Sequence, residues 1–293
     1  MAINFDHGKI SITAKLVAYC RQFSDIPFAQ EIAKLVHAEE AVQKLTQESG
    51  FSSNINEQAP HFEARYKSIV SLIAKSGLHQ ILELASGFSL RGLAMTDSDP
   101  KLTYIESDLP DLTSEKTRLI RELRTKLELK NRGNHHLAIA NALKINELRT
   151  ACAPLDRNKK LIVVNEGLLR YLSTDEIDTI AANVHALLNE FGGGIWITPD
   201  FSLKTDMNDN PGLQRFGQLV KIVTGRDHTQ SMFKSEKELE SFFTKHGFKS
   251  SVHYQFDESP ELVTIKKLGI SPDNVSRMRT RFKVWTLSSN LDA

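Results

Sequence analysis

A chain of 293 residues is long enough for one large domain, or for one domain with a substantial appendage. Its 40% apolar and 25% charged residues are ordinary for a water-soluble globular protein, and its interspersed charges, net +1, exclude strong steering toward nucleic acid or an anionic membrane. The start has no basic segment leading into an apolar core, no apolar run approaches the ~18 to 20 residues a bilayer span needs, and Cys20 and Cys152 are far apart without a partner motif, so a cytoplasmic protein with two buried thiols, no disulfide framework and no metal site is expected.

In chain order, "KISITAKLVAYCRQF" predicts a first helix. After a break at "SDIP", "FAQEIAKLVHAEEAVQKLT" predicts a second, with Pro27 in its first turn, where a missing N–H costs little. The polar stretch "QESGFSSNINEQAP" reads as a loop. "HFEARYKSIVSLIAKSG" spaces Phe62, Tyr66, Ile69 and Ile73 on one helical face and ends at Gly77, a left-handed cap. These segments predict a helical cap over residues 1–76.

From residue 77 the pattern changes to short apolar runs alternating with amphipathic helices. "QILEL", "KLTYIESD", "HHLAIAN", "KKLIVVNEG" and "GGGIWITPDF" read as strands. Helices are expected at "SLRGLAM", "LTSEKTRLIRELRTKLEL", "KINELRTAC" and "TDEIDTIAANVHALLNEF". The charges of the second of these read as a solvated face held by pairs one turn apart. Residues 202–233 read as a helical insertion after the fifth strand, followed by a helix capped by Ser235 with Glu238 three residues on. "SSVHYQF" and "RFKVWTLSS" close the chain as two further strands. Strands apolar on both faces and alternating with helices imply a doubly wound, Rossmann-like, mostly parallel sheet of seven strands, with helices on both faces. The expected main domain is therefore 77–293.

In such a sheet ligands bind beyond the carboxyl ends of the strands, beside the first crossover. The first strand enters "LELASGFSLRG". Against the dinucleotide pattern G-x-G-x-x-G this turn offers Ala85, Gly87 and Leu90, and leucine is too bulky where a glycine lets helix and strand pack closely. The spacing E-x-A-x-G-x-S, over Glu83, Ala85, Gly87 and Ser89, suits instead a backbone approaching a neutral sugar or an amino-acid moiety. Glu106 and Asp108 end the second strand on one face, where a carboxylate accepts both ribose hydroxyls. An adenosine carrier without phosphates is S-adenosyl-L-methionine.

The segments "ILELASGFSLRG", "YIESDLPDLTSEK" and "LIVVNEGLLRYLSTDE" together resemble the leucine carboxyl methyltransferase family, which also contains bacterial O-methyltransferases of secondary metabolism. Its "GAGLDTR", "EVDLP" with a following lysine, and "EGLLMYL" motifs correspond here to Ala85 to Arg91, Glu106 to Pro110 with Lys116, and Glu166 to Leu172. The resemblance implies an O-methyltransferase using S-adenosyl-L-methionine. It assigns Arg65 to the cofactor's methionine carboxylate, Ala85 and Gly87 to the first turn, Asp108 to the ribose, Asn141 and Ala142 to the adenine, and Glu166 to the amino end. Glu83 is placed with them, with hydrogen bonding to nearby backbone N–H groups as its other reading. Arg21 aligns with a basic residue facing the reactive centre. The chain departs from the family pattern at Ala85, Ser89 and Asn141, so a relative that keeps the fold without turnover is one alternative, and a nicotinamide-dependent oxidoreductase, disfavoured by Leu90, is another.

Acceptor contacts are expected from Arg21, from Asp200 at the end of the fifth strand, and from His228 in the insertion. Asp200 reads equally as a cap for the following segment, and His228 as an exposed loop residue. His135 and His136 are expected at the solvent end of the third strand, Tyr171 in the core, and Arg170 and Arg226 in solvent unless the acceptor is anionic. A carboxylate acceptor is already ionised at neutral pH and needs no base, whereas a hydroxyl needs one. The acceptor is expected to be a small molecule, free or carrier-bound, rather than a protein C-terminus, a nucleic acid or a membrane component.

Overall fold

Short apolar runs become the strands of a single sheet in the computed structural model, which describes residues 7–49, 55–205, 221, 232–259 and 261–289. β1 (Gln80–Leu84), β2 (Thr103–Asp108), β3 (His135–Ile139), β4 (Leu161–Asn165) and β5 (Gly194–Thr198) pair in parallel. β6 (Phe248–Tyr254) and β7 (Lys283–Ser289) complete the sheet, β7 running antiparallel to both β5 and β6. The spatial order is β3-β2-β1-β4-β5-β7-β6, so the direction of winding reverses between β1 and β4. That reversal opens a crevice at the carboxyl ends of these two strands.

Both faces of the sheet's centre are covered, which is why β1 and β4 are buried along their whole length. On one face Ile81, Tyr104, Ile162, Val164, Ile197 and Val284 pack against Ile69, Leu72 and Ile73. Those three residues belong to α4 (Ala59–Ser76), so the last helix of the predicted cap is itself a layer of the sheet's core. On the other face Leu82, Leu84, Leu161, Val163, Trp196 and Leu287 lie in one cluster with side chains of α7 (Ile145–Ala151), α8 (Thr174–Glu190) and α9 (Glu236–Lys245). The remaining crossovers use α5 (Arg91–Ser98) and α6 (Pro110–Leu127). The β6–β7 connection contains α10 (Gln255–Glu258), α11 (Val263–Lys267) and α12 (Pro272–Arg279).

Ahead of the sheet lie α1 (His7–Arg21), α2 (Ala29–Leu35) and α3 (Ala38–Ser49). The single helix expected after Pro27 is two helices, because His37 takes a left-handed φ of 53° between them. Pro27 is not in the first turn either: Phe28, at φ 64°, is the residue that opens α2. Gly77 ends α4 at φ 67°, as its sequence predicts. Ser235 caps α9 by accepting the Glu238 N–H at 3.2 Å. The base of the insertion is pinned where Lys204 N donates to Phe233 O at 2.8 Å and Phe233 N to Ser202 O at 3.0 Å. Most of the insertion, including Arg226 and the expected acceptor residue His228, lies outside the described residues. Among the described residues no helix is long and apolar enough to cross a membrane.

Candidate functional site

The turn after β1 holds two demands for left-handed backbone, on either side of Ser86: Ala85 sits at φ 49° and Gly87 at φ 52°. Glycine adopts that conformation freely, while an alanine there costs roughly 1–2 kcal/mol. Hydrogen bonds tie the turn and the end of β1 to β2. Asp108 accepts the Gly87 N–H at 2.7 Å and the Leu109 N–H at 2.8 Å, Ser86 N donates to Ser107 O at 3.0 Å, and Ser107 Oγ donates to Glu83 O at 2.9 Å. The close helix–strand packing that a dinucleotide site obtains from its third glycine is supplied here by Gly92. A Cβ on Gly92 would lie 2.7 Å from Tyr104 Cδ1 and 2.9 Å from Glu106 Cδ.

Beneath the turn is a buried ionic knot. Lys116 Nζ donates to Ser86 Oγ at 2.9 Å and lies 3.2 Å from Glu106 Oε2, and His135 Nε2 is 2.9 Å from that same oxygen. Burial pushes the Glu106 carboxyl up, but Lys116 and His135 outweigh it and hold it at about 2. The expectation that His135 would sit at a solvent end is corrected, because its side chain turns under β2 onto Glu106 and is 3% exposed.

Above the turn, three arginines converge on one carboxylate. Arg21 Nη2 and Arg65 Nε both donate to Glu166 Oε1, the latter at 2.8 Å, while Arg91 Nη2 donates to Glu166 Oε2. Arg91 also donates through Nη1 to Glu83, whose other oxygen accepts the Tyr104 hydroxyl at 2.7 Å. Tyr66 lies under two of the guanidinium groups, 5.1 Å from Arg21 and 4.7 Å from Arg91, and Phe62 lies 4.8 Å under Arg65. Burial raises the Glu166 carboxyl, but Arg21, Arg65 and Arg91 overcome it and keep it ionised far below the usual range. Burial likewise disfavours the charge on Arg91, and Glu83 with Glu166 restore it. Three cations thus face two anions, an excess of one positive charge within the cluster.

A mostly apolar cavity of about 180 Å³ opens over this cluster at the carboxyl ends of β1 to β4. Of the residues singled out in the sequence, Arg21, Arg65, Glu83, Ala85, Gly87, Asp108, Asn141, Ala142 and Glu166 all line it. Within that set, Glu83 binds side chains rather than backbone N–H groups, and Asn141 Oδ1 accepts the Leu143 N–H at 2.9 Å. Arg170 and Tyr171 also line the cavity, so neither is in the setting its sequence context suggested.

Asp200 does not line the cavity, and the expectation that it contacts the acceptor is corrected. Its carboxylate accepts Asn165 Nδ2 at 2.7 Å and the N–H groups of Gly167, Leu168 and Leu169 at 2.8, 2.7 and 3.1 Å. It shapes the loop after β4 from behind. Arg91 and Tyr66 were missed as members of the cluster. Their only sign in the sequence was position, Arg91 closing the first motif and Tyr66 following Arg65 on α4.

The leucine carboxyl methyltransferase family model matches residues 19–185, more than half of the chain and inclusive of all three motif segments. Among solved structures, a candidate methyltransferase from Thermobifida fusca YX superposes with a TM-score of 0.58 at 17% identity, over 85% of this chain and 88% of that one. A candidate O-methyltransferase from Nostoc punctiforme PCC 73102 gives 0.50 at 14% identity, over 80% of this chain and 59% of its own length. The pyocyanin biosynthetic protein PhzM gives 0.50 at 9% identity, over 80% and 56%. No curated protein matches the sequence. At such identities the structural likeness establishes the fold, while the family match rests on the sequence itself. The chain belongs to the leucine carboxyl methyltransferase family.

Proposed function

We propose that this protein binds S-adenosyl-L-methionine in the cavity and transfers its methyl group to an oxygen of a small acceptor molecule, free or carrier-bound. The observation that carries this reading is one juxtaposition at the sheet's switch point: the left-handed turn, the Asp108 carboxylate and an arginine cluster with one cation in excess line a single cavity. The residues suit the cofactor. Arg65 uses only Nε on Glu166, so its two terminal nitrogens remain for a bidentate carboxylate. Asp108 would hold the ribose hydroxyls, and the backbone of 85–89 the methionine portion. The Asn141–Leu143 loop would border the adenine, the Asn141 carbonyl keeping one lone pair beyond its bond to Leu143 N.

When bound, the cofactor supplies an electrophilic methyl group on a cationic sulfur. The chain's own contribution is placement. The Arg–Glu cluster anchors one end of the site, and the apolar wall excludes water from the acceptor oxygen, so that reactive atoms are held in near-attack geometry. Calorimetric titration of S-adenosylmethionine and S-adenosylhomocysteine into the purified protein, with NAD as control, tests the reading. Micromolar binding of the first two, abolished in Asp108→Ala and weakened in Arg65→Ala, is the expected result. Binding of neither to folded protein would overturn it, and binding of NAD alone would return the oxidoreductase reading.

A further inference from the structure

Lys116, on α6, is 1% exposed and is not among the residues that line the cavity, yet its ammonium sits immediately behind the turn after β1. Burying an ammonium is costly, so the partners that hold it there define its role. One is Glu106 Oε2, at 3.2 Å. That carboxylate already has His135 Nε2 at 2.9 Å on the same oxygen and accepts the Gly92 N–H at 3.0 Å on the other. The second partner is Ser86 Oγ, which accepts from Nζ at 2.9 Å. Ser86 does line the cavity, and among the described residues Lys116 is the one partner of its hydroxyl.

Ser86 is the hinge point of the turn, because both its neighbours hold left-handed backbone, Ala85 at φ 49° and Gly87 at φ 52°. Alanine resists that conformation, so the turn keeps it only while its surroundings hold Ser86 in place. Backbone bonds do part of this: Ser86 N donates to Ser107 O at 3.0 Å, and Ser89 N donates to Ser86 O at 3.0 Å. On another side α1 packs against the turn, since a Cβ on Gly87 would meet Ala14 Cβ at 3.9 Å. The Ser86 side chain is held by Lys116 alone. A bond from an ammonium to a hydroxyl is stronger than one between neutral groups. Its other end is fixed as well, because Glu106 joins Lys116 to His135 of β3 and to Gly92 at the start of α5.

We propose that Lys116 is a positioning residue for cofactor binding: through Ser86 Oγ it holds the backbone of 85–87 in the shape that receives the methionine end of S-adenosyl-L-methionine, without touching the cofactor. This rests on the cavity being the cofactor's site and names what shapes it. The test is calorimetric titration of S-adenosylhomocysteine, and of 5′-methylthioadenosine, which lacks the amino-acid end, into wild type, Lys116→Met, Ser86→Ala and the double variant. In Lys116→Met the affinity for S-adenosylhomocysteine is expected to fall about ten-fold or more, and that for 5′-methylthioadenosine about two-fold or less. Ser86→Ala leaves Lys116 its pairing with Glu106 and should lose about five-fold for S-adenosylhomocysteine. The double variant is expected to bind it no more than about two-fold weaker than Lys116→Met does, because both changes break the same bond; lost stability alone would not couple the two residues in ligand affinity. Unchanged S-adenosylhomocysteine affinity in folded Lys116→Met, an equal loss for the two probes, or losses that multiply in the double variant would overturn the proposal. If Lys116→Met does not fold, Ser86→Ala decides, and an affinity within about two-fold of wild type overturns it. Failure of wild type to bind S-adenosylhomocysteine at all is a different outcome and removes the methyl-transfer reading on which the proposal stands.

Discussion

Asp200 offers the sharpest test of how the site is built, because its sequence position suggested contact with the acceptor and its surroundings make it a scaffold. Its two oxygens collect four donors: the Asn165 amide and three successive backbone N–H groups of the loop that carries Arg170 and follows Glu166. Asn165 in turn accepts the indole N–H of fully buried Trp196 at 2.7 Å, which ties the carboxylate into the core. Hydrogen bonds to a charged acceptor contribute roughly 1.5–3 kcal/mol each, but losses at one centre are not additive because the loop relaxes and water enters. Asp200→Ala is therefore expected to cost about 3–5 kcal/mol. At about 2 °C per kcal/mol for a domain of this size, the midpoint should fall by roughly 6–10 °C. Asp200→Asn keeps one acceptor oxygen and turns an amide donor toward the remaining N–H groups, so it should cost about 1–3 kcal/mol. Urea unfolding followed by circular dichroism reads both variants, and S-adenosylhomocysteine titration reads the displaced loop as at least a ten-fold loss of affinity in Asp200→Ala. An Asp200→Ala protein within 1 kcal/mol of wild type would refute the scaffold argument. A fully stable Asp200→Asn protein with impaired acceptor binding alone would return this residue to the acceptor site.

Arg91→Met removes the bridge between two buried carboxylates and should destabilise by roughly 3–5 kcal/mol at pH 7. Glu166 keeps Arg21 and Arg65, but Glu83 is left with only the Tyr104 hydroxyl and then gains by protonation, so the deficit should shrink between pH 7 and pH 5; urea midpoints that show no such recovery would count against the ion-pair account. Ala85→Gly relieves an alanine held at φ 49°, a gain of roughly 1–2 kcal/mol set against roughly 0.4–1 kcal/mol of added freedom in the unfolded chain, so the variant should be about 0.5 kcal/mol more stable. A variant less stable than wild type would mean that the turn is not strained. His61 is held neutral by burial and by the nearby charges of Arg65 and Arg170, with its ring stacked 3.6 Å from that of Phe282. Its folded pKa lies below the unfolded value of about 6.5, so its contribution is intact above pH 6.5 and is lost as the pH falls, at up to about 1.4 kcal/mol per pH unit. His61→Phe keeps the stack and should flatten the stability profile between pH 6.5 and 5; an unchanged slope would mean that this ring does not titrate on unfolding.

The sequence by itself determined the layers and which residues line the cavity at the sheet's switch point. Alternation of apolar runs with amphipathic helices encodes a sheet covered on both faces, since period and polarity are local properties of a few consecutive residues. The turn after β1, the acid ending β2 and the glutamate after β4 could be read for the same reason: each is a short motif attached to the end of a strand, and strand ends in such a sheet share one edge. Two local features escaped even so. Left-handed backbone at Phe28 sets the start of α2 after Pro27, and at His37 it divides what reads as one helix, although neither position carries a helix-breaking residue. What only the tertiary structure decided was the use of each charge. Whether Glu83, Asp200 or His135 faces a ligand or a neighbour depends on partners between 8 and 35 residues away in sequence, and Glu166 takes its arginines from 75, 101 and 145 residues away. Carboxylates at equivalent strand ends look alike in sequence. Burial makes an uncompensated charge too costly to keep, so the fold assigns each of these carboxylates its partners, and that assignment is made only once distant segments are packed together.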